Sequence, residues 1–139
     1  MEGNVINNTV VGMQITRTLG ADIIDNTING SSRGIRLART YADNIEIHNN
    51  ELIDTTNVHI ELINLNVDGV VSEPTVNIHD NFFTGDQPID LTGAYAVNLF
   101  NNTLEGSIRV VDNDSVNVSE NTVHPINRHG IEVLSLIHI

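Results

Sequence analysis

The sequence predicts an all-β solenoid, a chain wound into stacked coils, on three observations. The first is a repeat: the stretch AVNLFNNTLEG, Ala96 to Gly106, recurs in worn form five more times. Aligned on its central asparagine, the copies centre on Asn8, Asn26, Asn50, Asn81, Asn102 and Asn121, separated by 18, 24, 31, 21 and 19 residues. A period of this length marks a repeat architecture. The second is an alternation before each centre. Five residues before it lie Ala21, Ile45, Val76, Val97 and Val116, and three before it Val5, Ile23, Ile47, Ile78, Leu99 and Val118. The position between these columns is polar throughout: Asn4, Asp22, Glu46, Asn77, Asn98 and Asn117. Period-2 alternation of this kind describes a short strand half-buried against a core. The third is a further apolar pair in every copy, from Met13 and Ile15 through Ile35 and Leu37, Ile60 and Leu62, Ile89 and Leu91, Ile108 and Val110, to Ile131 and Val133. With a short strand just after the asparagine (Val10, Ile28, Leu52, Phe83, Leu104, Val123), three strands make one coil. The expected fold is a right-handed parallel β-helix of six coils, about 29 Å long at one strand spacing per coil. Its hand follows from the twist that governs parallel crossovers.

Taken in order, the chain enters almost directly into a rung, with no charged-then-apolar leader before Asn4. A short connection holding Arg17 leads to the second coil, and a longer one, Asn29 to Asp43, carries Arg33, Arg36, Arg39 and Tyr41. The longest excursion, Ile63 to Pro74, inflates one repeat to 31 residues. Asp86, Gln87 and Pro88 predict a turn before Ile89, and Asp112 to Asp114 another before Val116. The chain reads as one β-helix domain over residues 1–139, uncapped at both ends. Solenoids need caps to cover terminal apolar side chains and strand edges, so this reading makes the chain a slice of a longer protein. Leu134 to Ile139, LSLIHI, resembles a translated adapter tail, and if it is one these six residues are not native sequence.

The centre asparagines have a structural explanation. An inward corner residue between two strands must satisfy its own amide and the neighbouring backbone away from water. Stacked one coil apart, asparagines both donate and accept, predicting a ladder through Asn8, Asn26, Asn50, Asn81, Asn102 and Asn121.

Composition excludes several function classes. The formal net charge is -12, all six basic residues are arginine, and lysine is absent. Such a surface repels nucleic acid backbones, and no basic patch offsets it. It fits solubility in salt or a cation-binding surface. No apolar run reaches the 18 residues of a membrane span, and the absence of cysteine rules out a disulfide framework.

NIEIHNNELI and AVNLFNNTLEG, together with RGIRL and HGIEV, resemble the right-handed parallel β-helix repeat of the pectate-lyase-like superfamily. That repeat occurs in polysaccharide lyases, epimerases and polygalacturonases. The resemblance spans nearly the whole chain and specifies the coil rather than an activity. It implies an extracellular, periplasmic or cell-surface protein whose third strand forms the floor of a polysaccharide groove. The outward residues between each third-strand apolar pair are Gln14, Arg36, Glu61, Asp90, Arg109 and Glu132, one per coil. By the resemblance, Glu61 and Asp90 hold Ca²⁺ against a substrate carboxylate, Arg109 or His59 abstracts a proton, and Arg36, Glu132 and Gln14 contact the polymer. His59 is expected on the face of Glu61, two residues before it.

Other features pull the other way. Alternating charges on a β surface are commonly solvated cross-strand pairs, worth roughly 0 to 1 kcal/mol each. The Asp-Pro-His-Asp string of alginate epimerases is absent, and Arg128-His129-Gly130 stands where polygalacturonases have Gly-His-Gly. His48 and His79 share a column, so their rings are expected to stack outward. Two imidazoles without a third ligand fall short of a zinc site. Two functions follow: a module that binds or processes an acidic polysaccharide, or a non-catalytic spacer or adhesion stalk.

Overall fold

The computed structural model describes residues 1–17, 20–38, 44–63, 75–93, 96–113, 115–124 and 130–136, without the side chains of 112–113 and 133–136. Arg39, Tyr41, residues 64–74 of the long excursion, and Arg128 and His129 lie outside the described residues.

Successive windings of the chain supply β1 (Val5–Asn7) and β2 (Val11–Thr16); β3 (Ala21–Ile24), β4 (Thr27–Asn29) and β5 (Arg33–Ala38); β6 (Asn44–His48), β7 (Glu51–Ile53) and β8 (Val58–Ile63); β9 (Thr75–His79) and β10 (Phe82–Thr92); β11 (Ala96–Phe100) and β12 (Thr103–Asn113); then β13 (Ser115–Ser119), β14 (Thr122–His124) and β15 (Ile131–Leu136). Every strand pairing is parallel and joins one winding to the next. The molecule is therefore a parallel β-solenoid. One sheet holds β3, β6, β9, β11 and β13, giving five full coils, and the other holds the remaining ten strands. Six full coils were expected. The leading one is partial, because in place of a first strand it makes only the isolated bridge Glu2–Ile24.

The repeat columns become the core. Val97, Leu99, Leu104, Ile108 and Val110 are buried in one coil, with Ile78, Phe83, Ile89 and Leu91 buried one coil away. Facing residues coincide in register: Leu99 pairs with Ile78, Leu104 with Phe83 and Ile108 with Ile89. In the fourth and fifth windings the second and third strands fuse into single strands of 11 residues. The turn expected at Asp86 to Pro88 is instead a bulge inside β10, with a register shift between Phe83 and Gln87. A bulge bends a strand without ending its pairing, which is what a solenoid corner needs.

The asparagine ladder is present, with one correction. Nδ2 of Asn26 donates to Oδ1 of Asn50 at 2.9 Å, Asn50 to Asn81 and Asn81 to Asn102 each at 3.0 Å, and Asn102 to Asn121 at 2.9 Å. Each accepting oxygen also takes the backbone N–H of the asparagine one coil earlier. The first rung is Asn4, whose Nδ2 and N–H reach Asn26 Oδ1 at 2.9 and 3.0 Å. Asn8, expected in that place, is exposed and lies at the next corner, beside Gly30. Backbone conformation shows why. The residue before each ladder asparagine is left-handed: Gly3, Asp25, Asn49, Asp80, Asn101 and Glu120 all have φ between 53° and 64°. Asn8 is itself left-handed (φ 53°), like Gly30 and Asp54 after it, so it turns a corner rather than filling one. With Asn4 as the true centre, Val5 and Val10 leave the core columns and are 70% and 74% exposed.

Candidate functional site

The outward row of the third strands is assembled by register. Gln14 pairs with Arg36, Arg36 with Glu61, Glu61 with Asp90, Asp90 with Arg109, and Arg109 with Glu132. Six side chains from six windings thus line up along the stack, about 4.8 Å apart. Adjacent carboxylates at that spacing repel by about 3.5 kcal/mol at an effective dielectric of 20, and the structure relieves this by pairing each outward along the row. Glu61 Oε2 accepts from Arg36 Nε at 2.8 Å and lies 3.5 Å from Arg33 Nε, both in the preceding coil. Asp90 faces the other way: Arg109 Nη1 donates to its Oδ2 at 3.1 Å and Oδ1 at 3.3 Å, and Thr92 Oγ1 donates to Oδ1 at 3.1 Å. All of these groups remain partly exposed, so each pair contributes roughly 0 to 1 kcal/mol.

His59 does not join this row. It is 0% exposed and lies inside the coil, its ring 5.2 Å from that of Phe83. Nε2 sits 2.9 Å from Gly85 O and 3.3 Å from Glu105 O, while Nδ1 is 2.6 Å from Thr55 Oγ1. Carbonyl oxygens only accept, so Nε2 carries the proton and Nδ1 accepts from the threonine. Burial lowers the imidazole pKa below its ordinary 6.5, opposed more weakly by the Glu105 and Gly85 carbonyls. The neutral ring is a staple across three coils. Its expected position on the Glu61 face fails because the chain bends here: the pairing passes from Val11–Arg33 to Met13–Ile35 and from Arg33–Val58 to Ile35–Ile60, leaving Gly12, Gly34 and His59 out of the register. At the bend His59 and Ile60 are both buried, which breaks the alternation.

The same bend brings in Arg33, which the row of alternate residues omits. Alternation would send it inward like Ile35, yet it is partly exposed and reaches Glu61. A Ca²⁺ ion needs six to eight oxygen ligands, and Glu61 and Asp90 are turned to arginines on opposite sides. Among the described residues no group of three or more histidine, aspartate or glutamate side chains is arranged to hold a metal. Each carboxylate of this pair is thus met by arginine rather than by its carboxylate neighbour.

On the five-stranded sheet His48 and His79 stack as expected, with ring centroids 4.8 Å apart, and Phe100 extends the stack at 4.7 Å from His79. His79 Nδ1 lies 2.7 Å from Asp80 Oδ2, a bond that, ahead of a contact from Asn101, holds the Asp80 carboxyl below the ordinary aspartate pKa. Beside the stack runs a polar file in which Asn98 Nδ2 donates to Asn77 Oδ1 at 2.8 Å and Asn77 Nδ2 to Glu46 Oε1 at 2.7 Å. Among the described residues no helix is long and apolar enough to cross a membrane. No family model, curated protein or solved structure matches the chain.

Proposed function

We propose that the chain is a polysaccharide-binding module of a secreted or surface-displayed β-solenoid protein, with the polymer lying along the third-strand row and no bond broken there. The observation that carries this reading is the unbroken register from Gln14 to Glu132. It presents amide, guanidinium and carboxylate groups at a regular interval, matching the regular hydroxyls and acidic groups of an extended glycan. Arg33, Arg36 and Arg109 are half of the six basic residues, and they balance Glu61, Asp90 and Glu132. This face is therefore locally neutral on a chain of net charge -12, the place where an acidic polymer meets least repulsion. Binding is favoured over processing because the Arg109 guanidinium is engaged by both carboxylate oxygens of Asp90 and His59 is buried inside the coil, away from the row.

Affinity electrophoresis through gels containing polygalacturonate, alginate or a neutral glucan tests this. Retardation of the parent chain that is lost in Arg36→Ala and Arg109→Ala, with no unsaturated product released, supports a binding module. The mutual pairing of Arg36 with Glu61 and Asp90 with Arg109 also suits a spacer, whose surface has only to stay soluble. Unretarded migration in every gel would favour that second reading. Both readings expect millimolar Ca²⁺ to leave the melting temperature unchanged, and a calcium-dependent rise abolished by Asp90→Asn would restore the metal site.

A further inference from the structure

The two ion pairs of the row are not alike. Asp90 meets one guanidinium, whereas Arg33 and Arg36 both meet the single oxygen Oε2 of Glu61, at 3.5 and 2.8 Å. Two cations on one carboxylate leave a positive charge unneutralised at one point of a chain whose net charge is -12. Among the described residues Arg33 Nε is shielded from solvent and has no hydrogen-bond partner, lying 3.5 Å from Glu61 Oε2. A shielded guanidinium N–H without an acceptor is a destabilising arrangement, so the hold of Glu61 on Arg33 is a weak one. Each guanidinium has five N–H donors, and the Glu61 contacts are made through Nε, so the terminal nitrogens have capacity for a second acceptor. Gln14, exposed and in register with Arg36 one coil away, adds an amide donor on the same side.

We propose that Arg33, Arg36 and Gln14 form an oxyanion site that takes a carboxylate or sulfate group carried by a polysaccharide, and that Glu61 is its internal competitor. In the free protein the Glu61 carboxylate stands in for the ligand's. In the complex the ligand's oxyanion shares the two guanidinium groups with it or displaces it. The site rests on the glycan-binding reading above and adds its selectivity: charged over neutral polymers. Glu61 sets the affinity without touching the ligand, so its removal strengthens binding.

The test uses three polymers with one backbone, namely dextran, carboxymethyl dextran and dextran sulfate. Each is titrated calorimetrically into the full chain at physiological ionic strength, where charges beyond a Debye length of about 8 Å are screened. The parent chain should bind an anionic dextran and not dextran itself, and whether the carboxymethyl or the sulfate form binds tighter identifies the group. Glu61→Gln should bind about tenfold tighter and Arg33→Gln about tenfold weaker, as charge-assisted bonds are gained or lost. Asp90→Asn makes the same change in net charge as Glu61→Gln and should move affinity far less. Arg33→Lys, which keeps the charge and loses the planar fork, guards against a folding defect in Arg33→Gln and should still weaken binding. Glu61→Gln binding no tighter than Asp90→Asn would overturn the oxyanion site. Equal binding of all three dextrans would overturn it while leaving glycan binding intact. No binding of any dextran, by the parent or by Glu61→Gln, would overturn both.

Discussion

His59 is held neutral by its surroundings, and that has a consequence for stability. Above pH 6.5 the imidazole is neutral in both folded and unfolded chains, so its titration imposes no penalty. As pH falls below 6.5 the unfolded chain takes up a proton that the buried ring resists, because its folded pKa is lowered. Stability is therefore lost progressively below 6.5 until the folded pKa is passed. Asp80 titrates in a separate window, since its stabilising contribution is lost only as pH falls below the ordinary aspartate value of 3.8. Thermal melts of the parent and His59→Gln from neutral to mildly acid pH should converge as pH drops, because only the parent carries this dependence. Parallel pH profiles would show that His59 is not buried neutral. Substitutions should also separate the corner asparagine Asn8 from the ladder asparagines. Asn26→Ala strips Asn4 of its acceptor and should cost about 1 to 3 kcal/mol, the penalty for stranded buried polar groups. Asn8→Gly should stay within about 0.5 kcal/mol in a denaturant melt, because glycine already occupies that corner one coil on, at Gly30.

At the scale of the strand, the bend between second and third strands decides what could be read in advance. Within β3, β6, β9 and β11 the side chains alternate regularly, so the polar column at Asp22, Glu46, Asn77 and Asn98 and the buried Ile23, Ile47, Ile78 and Leu99 follow from spacing alone. The row from Gln14 to Glu132 was legible for the same reason, since the apolar pair on either side of each member fixes its direction. His59 and Arg33 were not, because alternation fails where two successive residues turn inward, as Gly34 and Ile35 do in β5. The signal was in the column itself: Gly12 and Gly34 stand at a place with no room for a side chain. A Cβ on Gly34 would come within 2.3 Å of Leu52 Cδ2 and 2.5 Å of the His59 carbonyl oxygen. Gly34→Ala should therefore cost about 1 to 3 kcal/mol by overpacking, measured by urea denaturation. A loss of only a few tenths would mean that the bend opens easily and that His59 is not wedged behind it. Asn8 was misplaced for a related reason. Asn4, Asn7 and Asn8 all lie in the first coil, and composition alone does not say which one follows the left-handed residue.

One geometry defines the whole molecule: each winding adds one strand spacing in one direction, and the row residues of all six windings lie on one line. The absence of cysteine makes this directly measurable, because spin labels can be attached at chosen positions only. Gln14 and Glu132 are separated by five pairings in register, Gln14 and Arg109 by four, and Gln14 and Asp90 by three. Backbone separations should then be about 24, 19 and 14 Å, at about 4.8 Å per coil. Double electron–electron resonance on the first two cysteine pairs, with continuous-wave spectra for the third, should give narrow distributions shortening by one coil spacing at each step. Distances that do not fall in even steps, or a broad distribution for Gln14 with Glu132, would contradict the parallel stack and with it the row on which the binding face is built.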